Sequence, residues 1–391
     1  MTTRTNRKMT LTYKYRLLPS RRQREVLARV LDDQRILYNA ALEERIGAYR
    51  RAGISISYID QCKSLTECRR ALPEMAATPL NIQRGTIKRL DKAFKGFFSR
   101  VKRSAKPGFP RFRGKERFNS FDFNEMDGLR YDGNRLRWSG MPSGLRVHLH
   151  RPMPEGKILT AKFKRDHKGW SVCFAIRSET PEKRIVSSAV GIDVGIKTLA
   201  ATSDGLLIQN PRAARRSERA MRRTQRALAR CKRGSTSRRK ARQRLARLHA
   251  KIANTRATAL HQISAMLAKR YDVIAVEALN TKGLARGILA RDVHDASWSK
   301  LRDLLRYKAE RAGAHFIEVN PKFTSQDCPD CGRRQAKTLA ERVHSCPCGC
   351  VLDRDVAAAR VILSRAVVGP GRLNVAGCSV RAAGNLKQRL I

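Results

Sequence analysis

From Cys346 the chain reads CPCGCVLDRDVAAARVIL, with three cysteines and two aspartates crowded into ten residues before an alanine-rich run. Thiolates are soft ligands that suit zinc, whereas carboxylates are hard ligands that suit Mg²⁺ or Mn²⁺. Upstream stands Cys328-x-x-Cys331, separated from Cys346-x-Cys348 by fourteen residues. Four thiolates on two knuckles make a closed tetrahedral zinc site, structural rather than catalytic. The second knuckle has a single residue between its cysteines, so Cys350 is an alternative fourth ligand and His344 a further one. Five of the ten cysteines lie between Cys328 and Cys350, and the rest (Cys62, Cys68, Cys173, Cys231 and Cys378) are scattered. That clustering predicts metal binding in a reducing compartment, not a disulfide framework.

The hard ligands form a second set. Asp193 sits inside VGIDVGI and Glu277 inside VIAVEAL, both apolar strand-like runs. A carboxylate within such a run is costly unless something pairs it. If a helix starts at the aspartates after the cysteines, Asp355 shares a face with Ala358, Ala359 and Ile362, while Asp353 is placed to cap it. Asp355 is therefore the expected third carboxylate. Asp193, Glu277 and Asp355 together predict a Mg²⁺ or Mn²⁺ site able to hold two ions over a phosphodiester.

Charge selects the partner. The 391 residues carry 83 Lys+Arg against 33 Asp+Glu, a formal +50. A chain this far from neutrality repels itself unless a polyanion compensates it, and nucleic acid gains most by releasing counterions. Residues 211–256 hold eighteen Lys/Arg and one acid, Glu218, broken by GSTS at 234–237. With too few internal ion pairs, this basic helical hairpin is expected to lie against nucleic acid. Its candidate phosphate contacts are Arg215, Arg216, Arg222, Arg223, Arg238, Arg239 and Lys240. Arg111 and Arg113 in KPGFPRFRG are two more. No run of about eighteen apolar residues is present, so no membrane span is expected. The N-terminus lacks a signal-peptide core, which predicts a cytoplasmic, nucleoid-associated protein.

The order of elements predicts an α/β protein with a β-barrel. LTYKYRLLP reads as a strand, and Ser20 with Gln23 as the capping box of a helix ending at RRAG. A second helix, IQRGTIKRLDKAFKGFFSRVKR, aligns Ile87, Leu90, Phe94, Phe97, Phe98 and Val101 on one apolar stripe, expected to pack into the core. Short alternating segments with turns at Asp127-Gly128 and Asp132-Gly133 follow, including a hairpin in KILTAKFKRDHKGWSVCFAIR. The first strand is expected to join them, making the intervening helices an insertion. In the basic hairpin, Leu245, Leu248, Ile252, Ala259, Ile263 and Met266 are expected to face the core.

The succession GIDVGIKTLA, basic hairpin, YDVIAVEALN, YKAERAG, NPKFTSQDCPDCG and CPCGCVLDRDVAAARVIL resembles the TnpB family of insertion-sequence proteins, related to type V CRISPR effectors. The resemblance is close over residues 189–363, and YKYRLLPSRRQ, NIQRGTIKRLDKAFKGFF and GFPRFRG extend it upstream. It implies an RNA-guided DNA endonuclease with guide RNA and target DNA as partners. It also implies a RuvC-like, RNase H-like nuclease domain at 189–325 and 352–365 with an inserted zinc ribbon at 326–351. Before these it implies a wedge-like β-barrel at 1–18 and 111–180 carrying a helical recognition insertion at 19–110. The residues 366–391 are expected to be a mobile tail. By motif position Asp193, Glu277 and Asp355 are the catalytic acids, and Cys328, Cys331, Cys346 and Cys348 the zinc ligands. Two departures stand out: the shortened second knuckle, and Ala357 where the family has asparagine, a loss expected to weaken catalysis. A transposase acting in strand transfer, or a nuclease-weak RNA-guided repressor, are the alternatives. A monomer and a homodimer are both compatible with the sequence.

Overall fold

The computed structural model describes residues 8–368, apart from 167, 285, 286, 288, 289 and 339. The expected mobile tail thus lies almost wholly outside the described residues. Two compact units meet in sequence between Glu179 and Thr180.

In the first unit, β1 (Lys8–Leu18) alternates exposed and buried residues, sending Met9, Tyr13, Tyr15 and Leu17 inward. The helices follow it: α1 (Arg21–Ala52), α2 (Tyr58–Ala71), α3 (Pro73–Ala76) and α4 (Leu80–Lys102). Then come β2 (Ser120–Asn124), β3 (Arg130–Asp132), β4 (Arg135–Arg137), β5 (Leu145–His148), β6 (Lys157–Asp166) and β7 (Gly169–Glu179). The strands form one antiparallel sheet in the order β2-β6-β7-β1-β5-β4-β3, so the first strand does join the later ones. The expected barrel is a half-barrel. Edge strands β2 and β3 are short, and no ladder joins them among the described residues.

Local signals placed the helices. The Ser20–Gln23 capping box is formed in both directions, and Gly53 ends α1 in the left-handed region at φ 66°. Gly85 lets α4 approach β2, where a β-carbon would stand 3.1 Å from the Asp122 carbonyl oxygen. Tyr15, Leu27, Leu42, Phe121, Phe123, Phe163 and Phe174 are fully buried in the shared core. Each such side chain contributes about 1.5–3 kcal/mol through burial. The apolar stripe of α4 departs from expectation. Ile87 and Leu90 are buried, but Phe98 and Val101 are exposed, because α4 runs past the edge of what it packs on.

The second unit opens with β8 (Ala189–Val194), β9 (Thr198–Thr202) and β10 (Leu207–Gln209). It continues with α5 (Ala213–Arg216), α6 (Glu218–Arg230), α7 (Thr236–Arg270) and β11 (Val273–Glu277). Next are α8 (Thr281–Leu284), α9 (Ala290–Ala296), α10 (Trp298–Arg311) and β12 (His315–Val319). A small hairpin of β13 (Val343–Ser345) and β14 (Val351–Asp353) leads into α11 (Arg354–Val368). The five-stranded sheet runs β10-β9-β8-β11-β12; β8, β11 and β12 are parallel, and β9 is antiparallel to its neighbours. Parallel neighbours need long crossovers, which the helices supply.

The basic hairpin forms as α6 and α7, with its break at 231–235. Its core face differs in detail: Ile252, Leu260, Ser264, Leu267 and Ala268 are buried, while Met266 is exposed. Among the described residues, no helix is long and apolar enough to cross a membrane.

Candidate metal centre

Asp193 is the penultimate residue of β8, and Glu277 ends β11, its parallel neighbour. In their shared register Val276 lies opposite Ile192, so the two carboxylates leave adjacent strands at the same sheet end. Asp355 comes from the first turn of α11, which lies along β8. Gly191 makes that approach feasible, since a β-carbon there would overlap the Ala359 carbonyl and stand 2.7 Å from the Leu363 amide nitrogen. Ala358, Ala359 and Ile362 are buried on the face expected for them, and Ala357 is buried as well. Asp353 Oδ1 accepts from the Asp355 and Val356 amides at 2.9 and 3.3 Å, so it caps the helix as its position suggested.

The electrostatics bind the three acids together. Burial, then the charges of Glu277 and Asp355, hold the Asp193 carboxyl well above the usual carboxylate range. Burial also raises Glu277, opposed by the Thr324 hydroxyl and Arg365. Asp355 is raised by burial and by Asp353, opposed by Arg342, Arg354 and Lys197. Three crowded, desolvated carboxyls that resist ionisation are suited to a multivalent cation, which would compensate the charge. Asp193 and Asp355 line one cavity of about 400 Å³, rimmed by Lys197, Arg212, Arg342 and Arg354. Glu277 borders a smaller neighbouring cavity with Val194 and Val276. The three carboxylates do not form a cluster with all donor atoms within 4.8 Å; among the described residues, the groups that do are built on sulfur.

One such group is Cys328, Cys331, Cys346 and Cys348. The Cys328–Cys348 and Cys331–Cys346 Sγ separations are 3.7 and 3.5 Å. A tetrahedron with metal–sulfur bonds of about 2.3 Å has edges of roughly 3.8 Å, so the four sulfurs fit one ion. The knuckles are tight turns: the Gly332 and Gly349 amides donate to the Cys328 and Cys346 carbonyls at 3.0 and 2.9 Å. Both glycines have positive φ, 74° and 91°. Cys350 and His344 form the second group with Cys328. The short knuckle thus still brings Cys348 to the first group.

Several residues at the site carry no sequence signal. The Thr324 hydroxyl donates to Glu277 Oε1. Trp298 Nε1 donates to the Gly195 carbonyl at 3.1 Å, holding the chain just beyond Asp193. Ser325 also lines the larger cavity. Each comes from a segment distant in sequence from the acid it serves. Only the adjacency of Arg354 to Asp355 could have been noticed.

Of the basic residues, Arg111, Arg113, Arg215, Arg216, Arg222, Arg223, Arg239 and Lys240 are exposed. Arg222 is paired with Glu218 at 2.6 Å. Arg238 instead donates to the Leu228 and Cys231 carbonyls at 3.1 and 3.0 Å, closing the end of α6.

Carboxylates gathered at one end of a mixed sheet, a four-thiolate cluster and a strongly basic helical hairpin are the features expected of a chain built to bind metal beside a polyanion. Three family models match: "Probable transposase" of the IS605 OrfB type over residues 171–287, a "Cas12f1-like, TNB domain" over 298–362, and a "Helix-turn-helix domain" over 9–53. A Streptomyces pristinaespiralis protein, provisionally named RNA-guided DNA endonuclease, is 33% identical over 90% of this chain and 88% of its own. An Escherichia coli K12 relative with the same provisional name, InsQ, is 26% identical over 82% of this chain and 83% of its own. A solved structure titled as the mini-RNA-guided endonuclease CRISPR-Cas_phi3 is more distant, at 11% identity and a TM-score of 0.48, covering 92% of each chain. The chain belongs to the TnpB family, the OrfB proteins of IS605-type insertion sequences.

Proposed function

We propose that this protein is an RNA-guided DNA endonuclease whose catalytic acids are Asp193, Glu277 and Asp355. The observation that carries the reading is geometric: Asp193 and Glu277 leave neighbouring parallel strands at the same sheet end, and Asp355, distant in sequence, lines one cavity with Asp193. Bound Mg²⁺ or Mn²⁺ would activate water at the phosphodiester and stabilise the leaving oxygen. The chain's own task is to hold the acids apart yet in range. Asp193, Glu277 and Asp355 would hold the divalent cations, with Thr324 bonded to Glu277 and Trp298 bonded to the Gly195 carbonyl keeping the chain around them in place. Lys197, Arg212, Arg342 and Arg354 around the cavity would draw in and orient the phosphate.

Target choice by base pairing with a guide RNA follows from the family membership, and the formal +50 suits a protein that grips a heteroduplex by its backbone. The five-stranded sheet fits the RuvC-like domain at 189–325 and 352–365, and the ribbon at 326–351 would hold structural zinc. The half-barrel, with residues 19–110 inserted, is read as the wedge and recognition domains.

The test uses the protein purified with its RNA. Guide-matched DNA should be cut in Mg²⁺, and Asp193→Ala should abolish cutting. Undiminished cleavage by that variant would overturn the assignment. Strand transfer without RNA would select a transposase, and tight target binding without cleavage a repressor.

A further inference from the structure

Four phenylalanines of the first unit, Phe94, Phe97, Phe98 and Phe109, crowd together, and Phe98 and Phe109 remain half bare. Phe94, Phe97 and Phe98 lie on the last turns of α4, and Phe109 on the segment after it. Phe97 stands edge-on to Phe98 and Phe109 at centroid distances of 5.1 and 5.3 Å, and Phe94 meets Phe109 at 5.6 Å. Yet Phe98 and Phe109 expose 55% and 47% of their surface, with Val101 on the same helix end at 49%. Single exposed apolar residues are ordinary, but a contiguous group points to a partner.

The surroundings say which partner. Residues 92–117 contain ten Lys/Arg and one acid, Glu116. The segment is also fixed in place. Asn39 bonds the Arg113 backbone in both directions, at 2.8 and 3.1 Å, and Arg100 Nη2 donates to the Gly108 carbonyl at 3.0 Å. Gly108 has φ 60°, a turn that favours glycine. Rings presented on a rigid, cationic support match a ligand with flat apolar faces and regular negative charge.

We propose that this surface stacks unpaired bases of the RNA carried by the protein. The proposal deepens the guide-RNA reading and rests on it. Unpaired nucleotides offer both the base faces and the phosphates, whereas a duplex hides its base faces. RNA is favoured over DNA strands because exposed apolar rings need cover before any target is met. An anionic membrane would also meet rings and cations, and binding to phosphatidylserine vesicles separates that occupant from RNA.

The experiment measures binding of full-length protein, freed of nucleic acid by high salt, to an unstructured RNA and to an RNA duplex of equal length. Phe98→Ala with Phe109→Ala should weaken single-stranded binding by roughly five- to a hundredfold per lost stack. The salt slope should stay unchanged, because no charge is removed. Arg111→Gln with Arg113→Gln should instead reduce that slope by about 0.7 per phosphate contact. Duplex affinity should not respond to the phenylalanine changes, and the unfolding midpoint should be preserved. Unchanged single-strand affinity, equal loss on the duplex, or phenylalanine-dependent pelleting with phosphatidylserine vesicles would overturn the proposal. The assay contains neither DNA nor Mg²⁺, so its failure is separable from failure of the nuclease assignment.

Discussion

The backbone of α11 crosses β8 at Gly191, where a β-carbon would collide with the carbonyl of Ala359. This contact decides where Asp355 stands relative to Asp193, two residues further along the strand. Substituting Gly191 by alanine should push the helix outward, destabilise the second unit by about 1–3 kcal/mol and suppress cleavage. Thermal unfolding and DNA cutting on the same preparation check this. A stable, fully active Gly191→Ala protein would show that the helix has room to spare.

Thr324 is a positioning residue for Glu277. Thr324→Val keeps the shape and removes the donor, so kcat should fall roughly ten- to hundredfold with little change in KM. Thr324→Ser should recover most of the loss. Equal effects of valine and serine would assign the role to packing instead.

The raised carboxyls give a stability prediction for metal-free protein. Burial and mutual charge hold the folded-state Asp193 carboxyl above its unfolded value. Its contribution is therefore fully present below the unfolded pKa of about 3.9 and is lost as pH rises toward the folded value. At neutral pH the metal-free site should be a liability. Asp193→Asn should raise the melting temperature of metal-free protein, and Mg²⁺ should raise that of the parent more than that of the variant. A lower melting temperature for Asp193→Asn would contradict the electrostatic account.

The ribbon is tied to the acids through the start of α11, where the Arg354 amide donates to the Arg342 carbonyl at 2.8 Å. Elemental analysis should find about one zinc per chain in the four-thiolate set. Cys346→Ser should release it and reduce cleavage even at saturating Mg²⁺. Retention of zinc after Cys346→Ser, with loss after His344→Ala or Cys350→Ser, would move the ligand set to the neighbouring group.

Parts of this architecture were legible before any coordinates. Ser20 and Gln23 announced a helix start because capping is a local interaction, complete within four residues. Asp193 and Glu277 stood out because apolar strands do not tolerate stray charge, and Asp355 could be chosen over Asp353 by helical phase. Periodicity did less well with α4 and α7. It shows which residues share a face, but not how far the neighbouring core extends, so Phe98 and Met266 were expected inside and are exposed. Thr324 and Trp298 were invisible for another reason. Their partners, Glu277 and Gly195, are brought to them only by the tertiary fold.

The central claim is that three acids, and not their neighbours, hold the ions at the phosphodiester. The most direct measurement compares cleavage of guide-matched DNA by RNA-loaded Asp193→Ala, Glu277→Ala, Asp355→Ala and Asp353→Ala proteins at saturating Mg²⁺. The first three should each lose at least roughly a hundredfold in rate, while the capping variant at Asp353 keeps most of its activity. Near-parental cutting by any of the three, or a loss at Asp353 as deep as at Asp355, would contradict the account.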